Sequence, residues 1–278
     1  MIKSMNTAWW VQRWSEQHPQ KPAILFEGEE ITYLQLHQRA NRTGCWLQSL
    51  GIEKGDRVAV MLENCPEFIE LYLACSRLGA IFVPVNFRLA PPELDFTLRN
   101  CRPRLFVFGG HFAETVFALN LNQRRPLMEL ACVGKQSCSS EVFDYESGIM
   151  DFDGQKPFLT KSLGPADPEE PQVIMYTSGT TGQPKGAVLS HRKTFFNCLN
   201  ADIFFKLHFD DMMLIALPLF HSGGLFIQAS PILYKGATMI IHSKFDPART
   251  YRDIKAYRVT KFLGVPTVYR TLLKTALS

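Results

Sequence analysis

Several features that would assign a protein to a class at once are missing from this sequence. The seven cysteines form no Cys-x-x-Cys pair, so neither a disulfide framework nor a zinc motif is indicated, and free thiols in a reducing compartment are expected. The net charge is only +4 and no basic stripe with interleaved aromatic residues occurs, so nucleic acid is not an expected partner. The start does not resemble a secretory signal, and the longest apolar run, residues 212–220, is too short to cross a bilayer. We therefore expect a cytoplasmic protein without a transmembrane segment.

The sequence does contain a regular alternation of apolar strands and helical patterns. The 278 residues are 46% hydrophobic and 20% charged, which is ordinary for a globular protein of one large domain or two. The alternation predicts an α/β fold with parallel sheets covered by helices on both faces. Residues 134–171, rich in Gly, Ser, Asp, Glu and Pro, interrupt it and predict a long surface connection. We expect residues 1–56 and 172–278 to form one α/β layer set, and residues 57–171 a second.

The N-terminal segment carries three tryptophans, Trp9, Trp10 and Trp14, at helical spacing. An amphipathic helix of this kind could contact a membrane. Packing against the domain is favoured, because the segment is short and not strongly basic.

The most informative stretch is residues 176–186, Tyr-Thr-Ser-Gly-Thr-Thr-Gly-Gln-Pro-Lys-Gly, which follows a predicted buried strand. Its glycines allow a sharp turn whose N–H groups face a ligand, while its hydroxyls and Lys185 add donors and positive charge. This combination suits a polyphosphate; an ordinary polar surface turn is the alternative. A Walker A loop is excluded because Lys185 follows Pro184, and a dinucleotide fingerprint is excluded because the glycines are three and four residues apart.

These eleven residues closely resemble the signature of the adenylate-forming superfamily, which includes acyl-CoA and aryl-CoA synthetases, luciferases and peptide-synthetase adenylation domains. The resemblance extends from about Ala23 to Ser278. It implies an ATP-dependent activation of a carboxylic acid to an acyl-adenylate, followed by thioester formation, with ATP, Mg²⁺ and CoA as cofactors. The residues that it implies for ATP phosphate binding are Thr177, Ser178, Gly179, Thr180, Thr181, Gly182 and Lys185.

A second stretch, residues 217–224 with the sequence Leu-Pro-Leu-Phe-His-Ser-Gly-Gly, follows another predicted strand, where α/β sheets place ligand sites. A lone histidine in a loop is weak evidence for a site. The resemblance, however, implies that Phe220, His221 and Gly223 line the acyl and adenylate pocket. Amino-acid-activating relatives carry an Asp at the position of His221, so a fatty or aryl acid is favoured over an amino acid.

Other elements of the resemblance concern CoA and the parts of the site that this chain lacks. Lys244 is implied to meet CoA, although a solvated surface lysine is an equal alternative. No Tyr-Gly-x-Thr-Glu segment with a Mg²⁺-binding Glu, no ribose-binding Asp and no small C-terminal lysine domain is found. We therefore expect an N-terminal portion of a longer enzyme, with its metal ligand beyond Ser278 and no confidently assigned catalytic residue of its own.

The expected parent is an AMP-forming acyl-CoA synthetase whose partners are ATP, CoA and a small carboxylic acid. Two alternatives stay open. The chain could be a non-catalytic fragment that binds a nucleotide or an acyl group, or the acyl group could pass to a carrier protein instead of CoA. A homodimer is also left open.

Overall fold

The computed structural model describes residues 5–119, 128–134, 141–155, 167–177 and 184–276. Its strands are β1 (Pro22–Phe26), β2 (Glu29–Thr32), β3 (Arg57–Met61), β4 (Ile81–Pro84), β5 (Leu105–Gly109), β6 (Glu129–Val133), β7 (Phe143–Asp144), β8 (Pro171–Thr177), β9 (Lys185–Ser190), β10 (Met212–Ile215), β11 (Thr238–Ile241) and β12 (Lys261–Phe262). Its helices are α1 (Thr7–Gln17), α2 (Tyr33–Ser49), α3 (Pro66–Leu78), α4 (Pro91–Cys101), α5 (Ala113–Ala118), α6 (Tyr145–Met150), α7 (His191–Phe205), α8 (Ser222–Gly224, a π-helical turn Leu225–Ala229, and Ser230–Lys235), α9 (Pro247–Ala256) and α10 (Pro266–Ala276).

These strands form two sheets in which parallel pairing dominates. The five-stranded sheet has the order β12-β10-β11-β1-β2, and the seven-stranded sheet has the order β7-β6-β5-β3-β4-β8-β9. Within the described residues, antiparallel pairing is confined to β1 with β2 and β8 with β9, at one edge of each sheet. The predicted α/β class is confirmed.

The alternating side chains of the central strands explain why helices cover both faces of the seven-stranded sheet. In β3, Val58 and Val60 lie in one apolar core, while Ala59 and Met61 lie in another on the opposite face. Successive side chains of a strand point to opposite faces, so a continuous apolar run requires burial on both sides. The core that holds Val58 also holds Ile215 of β10, which shows that the two sheets share it.

Local sequence signals fix several helix ends. Thr32 caps α2 by accepting a hydrogen bond from the Gln35 backbone N–H (3.2 Å), and the Gln35 side chain accepts one from the Thr32 N–H (2.8 Å). Pro66 opens α3, and Gly79 ends it with a φ of +72°, a conformation that favours glycine.

The expected division of the chain into layer sets is wrong for β8 and β9. We expected residues 172–278 in the layer set of residues 1–56, but β8 lies in the seven-stranded sheet, parallel to β4, with Val173 opposite Phe82. Gln172 shows the physical reason, since its fully buried amide donates to Ser76 Oγ of α3 (2.7 Å) and accepts from Thr194 Oγ1 of α7 (2.6 Å). These partners are distant in sequence, so no local pattern specified them.

The N-terminal helix packs on the domain, as expected. The Trp10 ring meets Tyr234 of α8 edge-on at 5.2 Å, and Trp14 Nε1 donates to the Tyr234 carbonyl (3.3 Å). No helix in the described ranges is both long and apolar enough to span a membrane.

Candidate functional site

A cleft of about 350 Å³ lies where the carboxyl edges of the two sheets meet. Its wall combines the end of β4, the start of α4, the end of β8 and the loop after β10. The lining residues are Pro84, Val85, Asn86, Leu89, Glu93, Thr97, Tyr176, Thr177, Pro184, Phe220 and His221. Three residues predicted from two separate motifs, Thr177, Phe220 and His221, therefore share one cavity, at the sheet edge where α/β folds bind ligands.

The phosphate-loop sequence is the connection of the β8–β9 hairpin. Thr177 lies opposite Lys185 in the antiparallel register, and Tyr176 lies opposite Gly186. No strand was predicted after the loop, where the structure has β9. The hairpin fixes the two ends of the loop side by side, so the backbone of Lys185 is held next to that of Thr177.

Tyr176 and Gly186 pack against each other at the base of this hairpin. A Cβ at Gly186 would lie 2.8 Å from Ile174 Cγ2 and 3.2 Å from Tyr176 Cζ, so a side chain there would displace the tyrosine ring. Burial raises the pKa of Tyr176, whose hydroxyl donates to Asn100 Oδ1 (2.5 Å). The Tyr176 ring is thus fixed on the wall of the cleft.

Five predicted phosphate-binding residues, Ser178, Gly179, Thr180, Thr181 and Gly182, lie outside the described residues. The side chains of Thr177 and Lys185, at the ends of the hairpin strands, are exposed. Lys185 does not line the cleft, whereas Pro184 beside it does.

The loop after β10 presents an aromatic pair to the cleft. Phe220 is 6% exposed and meets the Phe87 ring edge-on at 5.1 Å, whereas His221 is exposed. The His221 N–H donates to the Pro218 carbonyl (3.1 Å), and the His221 carbonyl accepts from the Leu225 N–H (3.0 Å). The backbone of His221 is therefore held between a tight turn and the first turn of α8.

Of the two adjacent glycines in this loop, Gly224 has the stricter steric requirement. A Cβ at Gly224 would lie 2.3 Å from the Pro218 carbonyl oxygen and 2.9 Å from that of Leu217. A Cβ at Gly223, the predicted pocket residue, would meet only the end of the Leu217 side chain at 3.2 Å. Gly223 does not line the cleft. The requirement for glycine is therefore stricter at Gly224 than at Gly223, whose pocket role stays a prediction.

Comparison with known proteins identifies the family of this chain. The sequence model of the AMP-binding enzyme family matches residues 11–278. The chain belongs to the AMP-binding enzyme family. It is 36% identical over 272 residues to a feruloyl-CoA synthase of Amycolatopsis sp, covering 98% of this chain and 51% of that protein. It is 35% identical to an indoleacetate–CoA ligase of Aromatoleum aromaticum, covering 94% of this chain and 50% of that protein.

Solved structures of the AMP-binding family show the same architecture. ATP-bound MatB from Rhodopseudomonas palustris aligns with a TM-score of 0.82 and 30% identity, over 96% of this chain and 51% of that one. A fatty acyl CoA synthetase of Mycobacterium tuberculosis aligns with a TM-score of 0.80 and 26% identity, over 98% and 51%. The chain spans about half the length of the curated relatives it matches.

Some cleft residues were not predicted as site residues. Asn86 is two residues beyond the end of β4, and Tyr176 precedes the predicted phosphate-binding residues. The rule that ligands bind at the carboxyl ends of parallel strands could have found both. Glu93 and Thr97 come from α4, one helical turn apart, and Glu93 Oε2 accepts from the Ala90 N–H (3.0 Å) at the start of that helix. Only strand order and helix packing bring α4 to the cleft.

Two further residues lie away from the cleft. Lys244, after β11, is exposed and does not line the cavity, so its CoA role stays a prediction. His191 is the first residue of α7 and is 1% exposed. Burial lowers its pKa to about 4, so its ring is neutral at pH 7.

Proposed function

We propose that the whole protein activates a carboxylic acid with ATP to form an acyl-adenylate and then transfers the acyl group to CoA. One observation carries this proposal: a cleft at the carboxyl edges of two sheets joins the start of the phosphate loop, Thr177, to the aromatic pair Phe220 and His221. Membership of the AMP-binding enzyme family supports the same chemistry.

In this proposal the loop between β8 and β9 holds the β- and γ-phosphates of ATP. The residues assigned to this task are Thr177, Ser178, Gly179, Thr180, Thr181, Gly182 and Lys185. Backbone N–H groups and hydroxyls would donate to phosphate oxygens, and the Lys185 ammonium would offset the charge that develops on the departing pyrophosphate. Phe220, His221 and Gly223 would lie against the carboxylate and the adenylate, and Lys244 would meet CoA.

The first step needs position and charge stabilisation rather than a base. A carboxylic acid is already ionised at pH 7, so its oxygen can attack the α-phosphorus directly while the bond to pyrophosphate breaks. The thiol of CoA, having lost its proton, then attacks the acyl carbon, and AMP leaves with the oxygen that came from the acid. The fixed backbone of His221 supports the required alignment, because a shift of about 1 Å at such a position can cost about 100-fold in rate.

The acid is proposed to carry an aromatic group. Two of the relatives described above are named for feruloyl and indoleacetate groups, both aromatic. The aromatic and apolar side chains on the cleft wall, among them Tyr176, Leu89 and Phe220, suit a flat ring. His221 offers no negative charge for the ammonium of an amino acid. Fatty acids, the other class that the sequence favours, are compared with aryl acids as substrates in the exchange assay.

Magnesium would accompany ATP, but the described residues do not fit a metal site. They contain no group of three or more His, Cys, Asp and Glu side chains that could hold a metal ion. No step is therefore assigned to the metal through these residues. The cysteines in the described ranges form no disulfide with one another, which supports the proposal of a reducing, cytoplasmic setting; they are Cys45, Cys65, Cys75, Cys101, Cys132 and Cys198.

The proposal is tested by carboxylate-dependent exchange of labelled pyrophosphate into ATP with the full-length protein. We expect exchange with aryl acids such as ferulate and indoleacetate, and weak or no exchange with amino acids. ATP binding without exchange for any acid, from folded protein, would instead indicate a non-catalytic nucleotide-binding protein. Adding CoA or a phosphopantetheinylated carrier protein then identifies the thiol acceptor.

A further inference from the structure

The side chain of Asn64 connects the two sheets directly behind the aromatic pair of the cleft. Asn64 follows β3 of the seven-stranded sheet and is 3% exposed. Its Nδ2 donates to the Leu217 carbonyl (2.9 Å) and to the His242 carbonyl (3.1 Å), and its Oδ1 accepts from the Leu219 N–H (2.7 Å). All three partners belong to loops that follow β10 and β11 of the other sheet.

An asparagine is well suited to this position. The amide carries two N–H donors and one carbonyl acceptor in a plane, and the three bonds above engage both donors and the acceptor. Aspartate would keep the acceptor but would place a carboxylate beside two carbonyl oxygens. Serine offers one hydroxyl for three backbone groups, and alanine offers none. A buried backbone group that loses its partner is costly, so the loop would rearrange or take up water.

The contacts of Asn64 lead to His221 through a short, fully bonded segment. Asn64 holds Leu217 and Leu219, the two residues on either side of Pro218. The Pro218 carbonyl in turn accepts from the His221 N–H (3.1 Å). Gly224 lies against the same carbonyl, where no Cβ would fit. The position of His221 in the cleft therefore depends on where Asn64 holds the turn.

We propose that Asn64 is a positioning residue: it sets Phe220 and His221 against the reacting carboxylate by fixing residues 217–219 from the opposite sheet. This inference rests on the proposed function for its catalytic consequence, but not for its structural content. Asn64 itself does not line the cleft, so it acts on the reaction through the loop.

Two measurements on the full-length protein test this role, with Asn64→Ala, the milder Asn64→Ser and a matched control. The control is Asn6→Ala, since Asn6 is also buried and bonds backbone groups, at Ser76 O (2.7 Å) and Ala8 N (2.9 Å), but on α1 and α3. The first measurement is amide hydrogen exchange in residues 217–225. We expect faster exchange there in both Asn64 variants and no change there in Asn6→Ala.

The second measurement is a double-mutant cycle between Asn64 and His221 in the pyrophosphate exchange assay. Asn64→Ala should lower kcat/KM for the acid by roughly 10- to 100-fold, mainly through kcat, and much less in a His221→Ala background. Asn6→Ala should cost the same in both backgrounds. If Asn64→Ala does not fold, Asn64→Ser supplies the same comparison with a smaller loss.

The results separate this inference from the proposed function. Unchanged protection of residues 217–225 in the Asn64 variants would overturn it, and so would equal losses in the two His221 backgrounds. If the wild-type protein supports no exchange with any acid, the proposed function fails. The hydrogen-exchange result then still decides whether Asn64 holds the loop.

Discussion

Replacing Gly224 by alanine tests whether the turn before α8 determines activity. The added Cβ would lie 2.3 Å from the Pro218 carbonyl oxygen, where an ordinary contact is at least 3.4 Å, so the backbone has to separate by about 1.1 Å. The opposing atoms are backbone atoms that Asn64 holds on both sides, so they cannot swing away as a side chain would. Overpacking of this kind costs about 1–3 kcal/mol of stability.

Gly224→Ala should lower activity as well as stability. A displacement of about 1 Å at the reacting groups can lower the rate about 100-fold, so we expect a loss of that order in kcat/KM for the acid in pyrophosphate exchange. Gly223→Ala is the matched comparison, because its Cβ meets only the end of the Leu217 side chain and should cost much less. Thermal unfolding of both variants reports their stability separately. A Gly224→Ala protein with wild-type exchange and an unchanged Tm would refute the reasoning.

Two further predictions concern Lys185 and His191. Lys185→Ala should lower pyrophosphate exchange by roughly 100-fold or more, because the proposed role of this ammonium is to stabilise developing charge, and it should leave Tm unchanged because the side chain is exposed. The control Lys255→Ala removes another exposed lysine and should change neither exchange nor Tm. Equal exchange activity of the two variants would remove the phosphate role from Lys185. Burial lowers the pKa of His191 from 6.5 to about 4, so the unfolded chain binds more protons than the folded chain between these pH values. The contribution of neutral His191 to the free energy of unfolding is therefore fully present above pH 6.5. It falls as the pH drops towards 4, by about 2 kcal/mol at pH 5. In urea titrations, His191→Gln should therefore reduce the loss of unfolding free energy between pH 7 and pH 5 by about 2 kcal/mol. His37, whose pKa is also lowered to about 4 by burial, keeps its own contribution in this variant. An unchanged pH dependence of stability would contradict the lowered pKa of His191.

Local sequence patterns predicted the elements of this fold better than their pairing. The alternation of apolar and helical segments predicted the α/β class. The helix starts at Pro66 and after Thr32 also follow local rules, because caps act within a few residues. The place of β8 was wrong, because its pairing with β4 and the hydrogen bonds of Gln172 join residues far apart in sequence. The strand β9 was missed because it is largely exposed and ends at Ser190, which is also the N-cap of α7.

The candidate site shows the same division between local and long-range information. Two motifs brought Thr177, Phe220 and His221 to attention, and the structure places all three on one cleft; their binding roles remain predictions. Asn64 gave no signal, since it contacts Leu217 and Leu219 across more than 150 residues. Gly224 could be distinguished from Gly223 only once the position of the Pro218 carbonyl was known. Motifs thus indicated residues facing the ligand, but not those that hold them in place.

In the proposed reaction an oxygen of the acid attacks the α-phosphorus of ATP, and the fate of a labelled acid oxygen tests this step. The full-length protein is given an aryl carboxylate labelled with heavy oxygen, together with ATP and CoA, and the masses of the separated products are measured by mass spectrometry. We expect one labelled oxygen in AMP for each thioester formed, because AMP leaves with the oxygen of the acid. Label in inorganic phosphate with ADP as the other product, or thioester formed with unlabelled AMP, would contradict it.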